Sequence, residues 1–184
     1  MNCQNRKTEL KECMRIVWLQ HVYWTRLLLI SIDERLEDQS DTAERLLRNP
    51  KDIACIFAKY FPKNCVCEVE CLLTEHLNIG AELITALRNE RDGNHSDKNS
   101  NELDKSWYIN AEKIAKALHC MNRCYDFCEW KEMMFTHLDL TKKEVAARLA
   151  KKYKKDIEAF AAVEKEAICM ADMLTCGIIK CCNL

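Results

Sequence analysis

The segment Leu10–Ile32, LKECMRIVWLQHVYWTRLLLISI, has the clearest helical periodicity in the chain. Its inward-facing positions recur every three or four residues, the spacing that places side chains on one face of an α-helix. A half-buried strand would instead alternate apolar and polar residues. The stripe consists of Leu10, Met14, Val17, His21, Thr25, Leu28 and Ile32. The segment predicts a long amphipathic helix over roughly residues 8–36.

The composition of the 184-residue chain also favours helices. Three glycines and two prolines are too few for the turns of sandwiches, barrels or Rossmann-type folds. Further long helices are predicted at about residues 64–91, 101–122 and 156–181, with short helices between them. We expect a single all-α domain, residues 1–184, with a four-helix-bundle-like core (ferritin-like or DinB-like packing) and extra short helices.

Helix starts are predicted from residues that favour N-caps. They are Asp41 with Glu44, Thr141 with Glu144, and Asn49 before Pro50. A short helix over about residues 129–138 would end before the second of these starts. Gly80 lies inside a long helix, where we expect it to allow close approach of another helix.

Charge and hydropathy exclude several classes of partner. The net charge is -1, with 28 basic and 29 acidic residues mixed along the chain, so no nucleic-acid footprint is present. The most apolar segment, residues 16–32, contains Gln20 and Arg26, so it is not predicted to span a membrane. The first residues lack the apolar stretch of a signal peptide, so we expect a cytoplasmic protein. Arg26 requires an anionic partner in such apolar surroundings.

Three of the five histidines lie in predicted apolar stripes. His21, His76 and His137 belong to three different helices, and inward side chains of a bundle can meet at one level. Neutral imidazole binds zinc, iron, nickel or copper, and three such ligands with an open position are typical of catalytic zinc. The pattern therefore predicts a histidine-centred metal site inside the bundle. Whether the site catalyses a reaction stays open.

Nearby carboxylates are candidates to complete this site. Glu75 and Glu82 share a helix with His76, and Asp172 lies on the last helix. The commoner role of such residues is that of a surface group or a salt-bridge partner, because unpaired carboxylates are rarely buried. The histidines also have a simpler interpretation, in which each buried ring is hydrogen-bonded to a carboxylate or a backbone carbonyl.

Known metal motifs of helical bundles are absent. A di-iron bundle uses Glu-x-x-His on two helices, but Leu73 and Met134 stand three residues before His76 and His137. No His-x-x-x-His pair occurs either. A ferritin-type di-iron centre is therefore not expected.

The thirteen cysteines support a second, different hypothesis. Most lie in predicted helices, where we expect reduced thiols packed as small apolar residues. Groups occur at Cys65, Cys67 and Cys71, at Cys120, Cys124 and Cys128, and at Cys169, Cys176, Cys181 and Cys182. Thiolates select Cu(I) or zinc, so cysteine-based storage of Cu(I) or heavy metals is an alternative function. No Cys-x-x-Cys pair supports it.

No Gly-rich phosphate loop and no Gly-x-Ser-x-Gly elbow is present. A further alternative is therefore a non-enzymatic helical module that self-associates as a homo-oligomer or binds a partner protein. The abundance of amphipathic helix favours it.

Five segments resemble a family of small uncharacterised all-helical bacterial proteins. They are Trp18–Arg26, Leu46–Asp52, Leu72–Leu77, Trp107–Ala111 and Met170–Met173, and the resemblance extends over most of the chain. The family implies a helical fold and no established activity. Relatives are sometimes labelled acetylglutamate kinase, a label this sequence does not support, because an amino-acid kinase is a larger α/β protein with glycine-rich phosphate loops.

Overall fold

The structure is a computed structural model that describes residues 3–94 and 98–184. Within these ranges the chain forms seven α-helices and no strand. They are α1 (Cys3–Glu34), α2 (Gln39–Leu47), α3 (Asn49–Phe57), α4 (Lys63–Arg91), α5 (Ser100–Met121), α6 (Phe127–Leu149) and α7 (Tyr153–Cys182). The predicted all-α fold is confirmed. Five of the helices are long, where the sequence predicted four.

The five long helices pack side by side as a bundle. Neighbours in the chain pack against each other from α4 to α7, and α7 returns to pack against α1. Helix α6 also contacts both α1 and α4, while α2 and α3 lie against the same two helices. The three helices that carry the candidate histidines are therefore mutual neighbours.

The predicted helix start at Thr141 is wrong, because α6 continues through it. The Thr141 hydroxyl donates to the carbonyl of His137 over 2.9 Å, one turn earlier in the same helix. Such a bond satisfies the hydroxyl without ending the helix. Glu144 is likewise not part of a capping box, since its carboxylate accepts from Arg26 on α1. One continuous helix thus replaces the two short runs expected from sequence.

The other two predicted caps are also wrong. Helix α2 begins at Gln39, ahead of Asp41, and Asp38 at its cap position accepts instead from the Ser31 hydroxyl over 2.6 Å. Helix α3 includes Asn49, whose amide is directed to α1 rather than to its own helix. In each case a side chain that suits a cap locally is used for a contact with another part of the chain.

Two glycines allow side chains of other segments to approach a helix closely. A Cβ atom on Gly80 would lie 3.1 Å from Cζ2 of Trp107, so the predicted close approach is confirmed between α4 and α5. A Cβ atom on Gly177 would lie only 1.8 Å from Cε1 of Tyr125. Among the helices the structure describes, none is long and apolar enough to cross a membrane.

The expectation that cysteines pack in the core is wrong for the part of the chain that is described. Nine of twelve cysteines are exposed, and Cys13, Cys65 and Cys182 are partly buried. The helical periodicity explains the result, because the buried stripes are filled by larger apolar residues and the cysteines occupy the remaining faces.

Candidate metal centre

The structure brings the three predicted histidines together. The ring of His137 on α6 is adjacent to both others, with its centroid 5.7 Å from that of His21 and 6.3 Å from that of His76. All three side chains are buried, and all three line one internal cavity. The convergence expected from three separate helical stripes is therefore present.

The cavity joins a polar wall to an apolar one. Thr25, Thr141 and Glu144 line it together with the histidines. The apolar wall draws on the main core clusters and consists of Val22, Leu28, Leu46, Leu77, Gly80, Ala81, Ile84, Trp107 and Val163. The cavity volume is about 20 Å³. This space is sufficient for about one water molecule or a single ion.

The amide of Asn49 fixes the protonation of His21. Its nitrogen donates to the carbonyl of Val17 over 2.8 Å, which leaves its oxygen to face Nδ1 of His21 at 3.2 Å. An amide oxygen can only accept a hydrogen bond, so Nδ1 carries the ring hydrogen. Nε2 of the neutral ring then has a free lone pair.

Asn110 on α5 does the same for His76. Its amide nitrogen donates to the carbonyl of Leu72 over 3.1 Å and to Glu75 over 2.9 Å. Its oxygen faces Nδ1 of His76 at 3.0 Å, so this ring also carries its hydrogen on Nδ1. Trp107 supports the arrangement, since its indole N–H donates to the carbonyl of His76 over 3.1 Å.

His137 is bonded by a carboxylate rather than an amide. Nδ1 of His137 lies 3.0 Å from Oε2 of Glu166 on α7, and both side chains are buried. A carboxylate oxygen can only accept, so Nδ1 of His137 carries the hydrogen of this bond. No described residue forms a hydrogen bond with Oε1 of Glu166, although that atom is buried.

The three rings therefore share one hydrogen-bonding pattern. Nδ1 of each ring donates to a side-chain oxygen of another helix. No described residue is hydrogen-bonded to any Nε2. Burial, followed by the neighbouring His137, lowers the pKa of His21 and of His76 to about 3. Both rings are thus neutral at physiological pH. Neutral imidazoles with free Nε2 atoms are the form that binds transition metals.

The ring spacing is slightly wider than that of a closed ligand set. Three imidazoles bound at 2.0–2.1 Å to a tetrahedral ion would have their centroids about 5 Å apart, so the rings would move inward by about 1 Å on binding. In agreement with this gap, the described residues contain no group of three His, Cys, Asp or Glu side chains already arranged to hold a metal ion.

Beside the histidines, Arg26 has the anionic partners that its apolar sequence context required. Its guanidinium donates to Glu144 over 2.6 Å and to Asp156 over 2.8 Å and 3.1 Å. The ring of Phe160 lies 4.6 Å from the guanidinium carbon. Burial raises the pKa of Glu144 to about 7, which Arg26 only partly opposes. Glu144 is therefore a proton-accepting group at the cavity wall.

The carboxylates proposed from sequence do not line the cavity. Glu75 is exposed and reaches His76 only through the Asn110 amide. Glu82 forms a salt bridge with Lys98 over 2.5 Å. Asp172 binds Arg15 over 2.7 Å and 2.5 Å. Glu144, which lines the cavity, and Glu166, which is bonded to His137, were not predicted as site residues.

Four partners of the site were missed by sequence reasoning. Asn49 and Glu144 were interpreted as helix caps, and Asn110 and Glu166 had no assigned role. Only Arg26, which lies in an apolar stretch of sequence and is partly buried in the structure, pointed toward a carboxylate such as Glu144. Of the two remaining histidines, His119 bonds to the carbonyl of Tyr125 outside the cavity, and His95 lies outside the described residues.

The fold and site define an all-α bundle with a buried three-histidine cavity. No family model matches the chain, and no curated protein or solved structure matches it significantly. The resemblance to a bacterial helical family therefore stays a prediction.

Proposed function

We propose that the protein binds one divalent transition-metal ion, such as zinc, iron, nickel or copper, through Nε2 of His21, His76 and His137. The observation that carries the proposal is the hydrogen-bonding pattern that the three rings share. Each Nδ1 hydrogen is bonded to a side-chain oxygen, and each free Nε2 belongs to a ring lining the same small cavity. Metal-ligating histidines in proteins are oriented in this way by their second ring nitrogen.

The simpler interpretation, three unrelated core histidines, accounts for the bonds but less well for their placement. A buried ring needs one partner for its N–H, and any nearby carbonyl would serve. Here three rings from three helices meet at one cavity, and no described residue is hydrogen-bonded to any of their Nε2 atoms. A cation or a water molecule in the cavity would give these three Nε2 atoms a common partner.

Cobalt(II) binding tests the proposal and separates the histidines from the exposed thiols. We expect one equivalent of Co²⁺ to produce visible d–d absorption without the near-ultraviolet charge-transfer bands of cobalt thiolates. His21→Ala, His76→Ala and His137→Ala should each abolish this signal, because three ligands are needed. His119→Ala is the matched control, since His119 bonds to Tyr125 outside the cavity.

Circular dichroism of each metal-free variant shows whether loss of binding reflects loss of fold. Unchanged metal content in all three cavity variants would end the proposal. Binding that persists in them together with thiolate bands would instead favour the cysteine-based alternative. That alternative has weaker support, because the described cysteines are spread over several helices and most are exposed. Self-association stays a further alternative.

A further inference from the structure

Glu144 is the one carboxylate among the described residues that line the histidine cavity. Its side chain is 3% exposed. It lies two turns after His137 on the same helix, α6. A carboxylate in such a position has almost no contact with bulk water, so it depends on groups inside the protein for compensation.

Only one oxygen of Glu144 has a hydrogen-bond donor within the described chain. Oε1 accepts from Arg26 over 2.6 Å, and no described residue donates to Oε2. Arg26 also binds Asp156, so one guanidinium serves two buried carboxylates. Arg148 lies 3.8 Å from Asp156, but it is engaged mainly by Asp33 at 3.0 Å.

We infer that Glu144 supplies a carboxylate oxygen to the ion held by the three histidines, which makes a site of three nitrogen ligands and one oxygen ligand. This inference rests on the proposed function. Arg26 would orient the carboxylate through Oε1, as partners outside the ligand set commonly do. A nitrogen and oxygen set takes a divalent ion such as zinc or iron, whereas Cu(I) prefers sulfur.

The competing explanation is that Glu144 serves only to join α6 to α1 through Arg26. Two variants separate the explanations. Glu144→Gln and Asp156→Asn each remove a buried carboxylate bound to Arg26, but only Glu144 lines the cavity. If Glu144 is a ligand, Glu144→Gln should weaken Co²⁺ and Zn²⁺ binding by at least about tenfold, and Asp156→Asn by less than about threefold.

Isothermal titration of the metal-free full-length protein with Zn²⁺, with Co²⁺ absorption in parallel, gives these affinities. Wild-type affinity in Glu144→Gln would overturn the inference while leaving the histidine site intact. Equal losses in the two variants would also overturn it, because the effect would then act through Arg26. If the wild-type protein bound neither ion in the cavity, the proposed function would fail as well.

A second measurement applies if Glu144→Gln does not fold. Wild-type protein carrying ¹³C-labelled glutamate is compared by infrared spectroscopy before and after one equivalent of Zn²⁺. A shifted glutamate carboxylate band, lost in His137→Ala, supports the inference. An unchanged carboxylate region in protein that has bound the ion overturns it.

Discussion

His137 on α6 donates its Nδ1 hydrogen to Oε2 of Glu166 on α7 over 3.0 Å, while Oε1 of Glu166 is buried without a described partner. A carboxylate in this position orients the ring and raises the basicity of Nε2. Among the three rings, only His137 has a carboxylate acceptor, and it is also the ring adjacent to both others. Glu166 is therefore the residue outside the cavity with the most direct influence on the proposed site.

We predict that Glu166→Gln weakens metal binding by about 10–100-fold without unfolding the protein. Glutamine keeps the shape and can still accept from Nδ1, but it removes the charge that favours a cation. The matched control is Glu164→Gln on the same helix, whose carboxylate accepts from the Tyr23 hydroxyl instead. Titration with Zn²⁺ measures both, and equal affinity of the two variants would contradict the prediction.

We predict that Asn110→Ala lowers the free energy of unfolding by about 1–3 kcal/mol, because the buried Nδ1 hydrogen of His76 loses its acceptor. The carbonyl of Leu72 loses a donor as well. Asn78→Ala on the exposed side of α4 is the control and should change stability by less than about 0.5 kcal/mol. Urea denaturation compares them. An Asn110→Ala protein as stable as the control would show that this bond contributes little.

Two histidines and one glutamate control the pH dependence of stability in the metal-free protein. Because burial lowers the pKa of His21 and His76 from 6.5 to about 3, the unfolded chain binds two more protons than the folded chain between these values. Burial raises the pKa of Glu144 from 4.5 to about 7, so the folded chain binds one more proton there. Between pH 4.5 and 6.5 the unfolded chain therefore binds two minus one, or one, more proton than the folded chain.

The free energy of unfolding should therefore fall by about 1.4 kcal/mol per unit as the pH decreases through this window. Glu144→Gln removes the opposing proton, and the slope should become about twice as steep. Urea denaturation at several pH values between 6.5 and 5 provides the measurement. Stability that rises on acidification would show that the buried histidines accept protons in the folded state.

We predict that Gly177→Ala lowers the free energy of unfolding by about 2 kcal/mol or more, since overpacking against Tyr125 exceeds the gain in helix propensity. The Tyr125 ring is buried, and its hydroxyl donates to the carbonyl of Leu174 over 2.8 Å, so it cannot move aside freely. Gly80→Ala is the comparison, because its Cβ would lie 3.1 Å from Trp107 and needs only a small adjustment. Thermal unfolding of both variants provides the measurement, and a higher melting temperature for Gly177→Ala than for Gly80→Ala would contradict the prediction.

The helical class and the inward placement of the three histidines could be predicted, since both depend on local periodicity. A side chain three or four residues from Leu73 and Ile79, as His76 is, shares their helix face in any α-helix. The number of helices was harder to predict. Thr141 and Glu144 have the spacing of a cap, yet the same hydroxyl is satisfied inside a continuous helix.

The partners of the histidines could not be predicted from spacing. Asn49 lies 28 positions from His21, Asn110 lies 34 from His76, and Glu166 lies 29 from His137. Each bond forms because two helices pack at one particular rotation and register. The chain contains many other polar residues that could have been the partners of the three histidines, and the local sequence does not show which of them are. The assignment of Glu75 and Glu82 to the site came from their nearness in sequence alone.

Local periodicity was sufficient to establish that this chain is helical and that His21, His76 and His137 face inward, because the pitch of an α-helix relates each position to its neighbours three and four residues away. The packing of α1, α4 and α6 brings the three imidazoles into one group. Helix packing also places Glu144 at the same cavity and Glu166 within hydrogen-bond distance of His137. Contacts between helices depend on the combined fit of many side chains. No single segment contains that information.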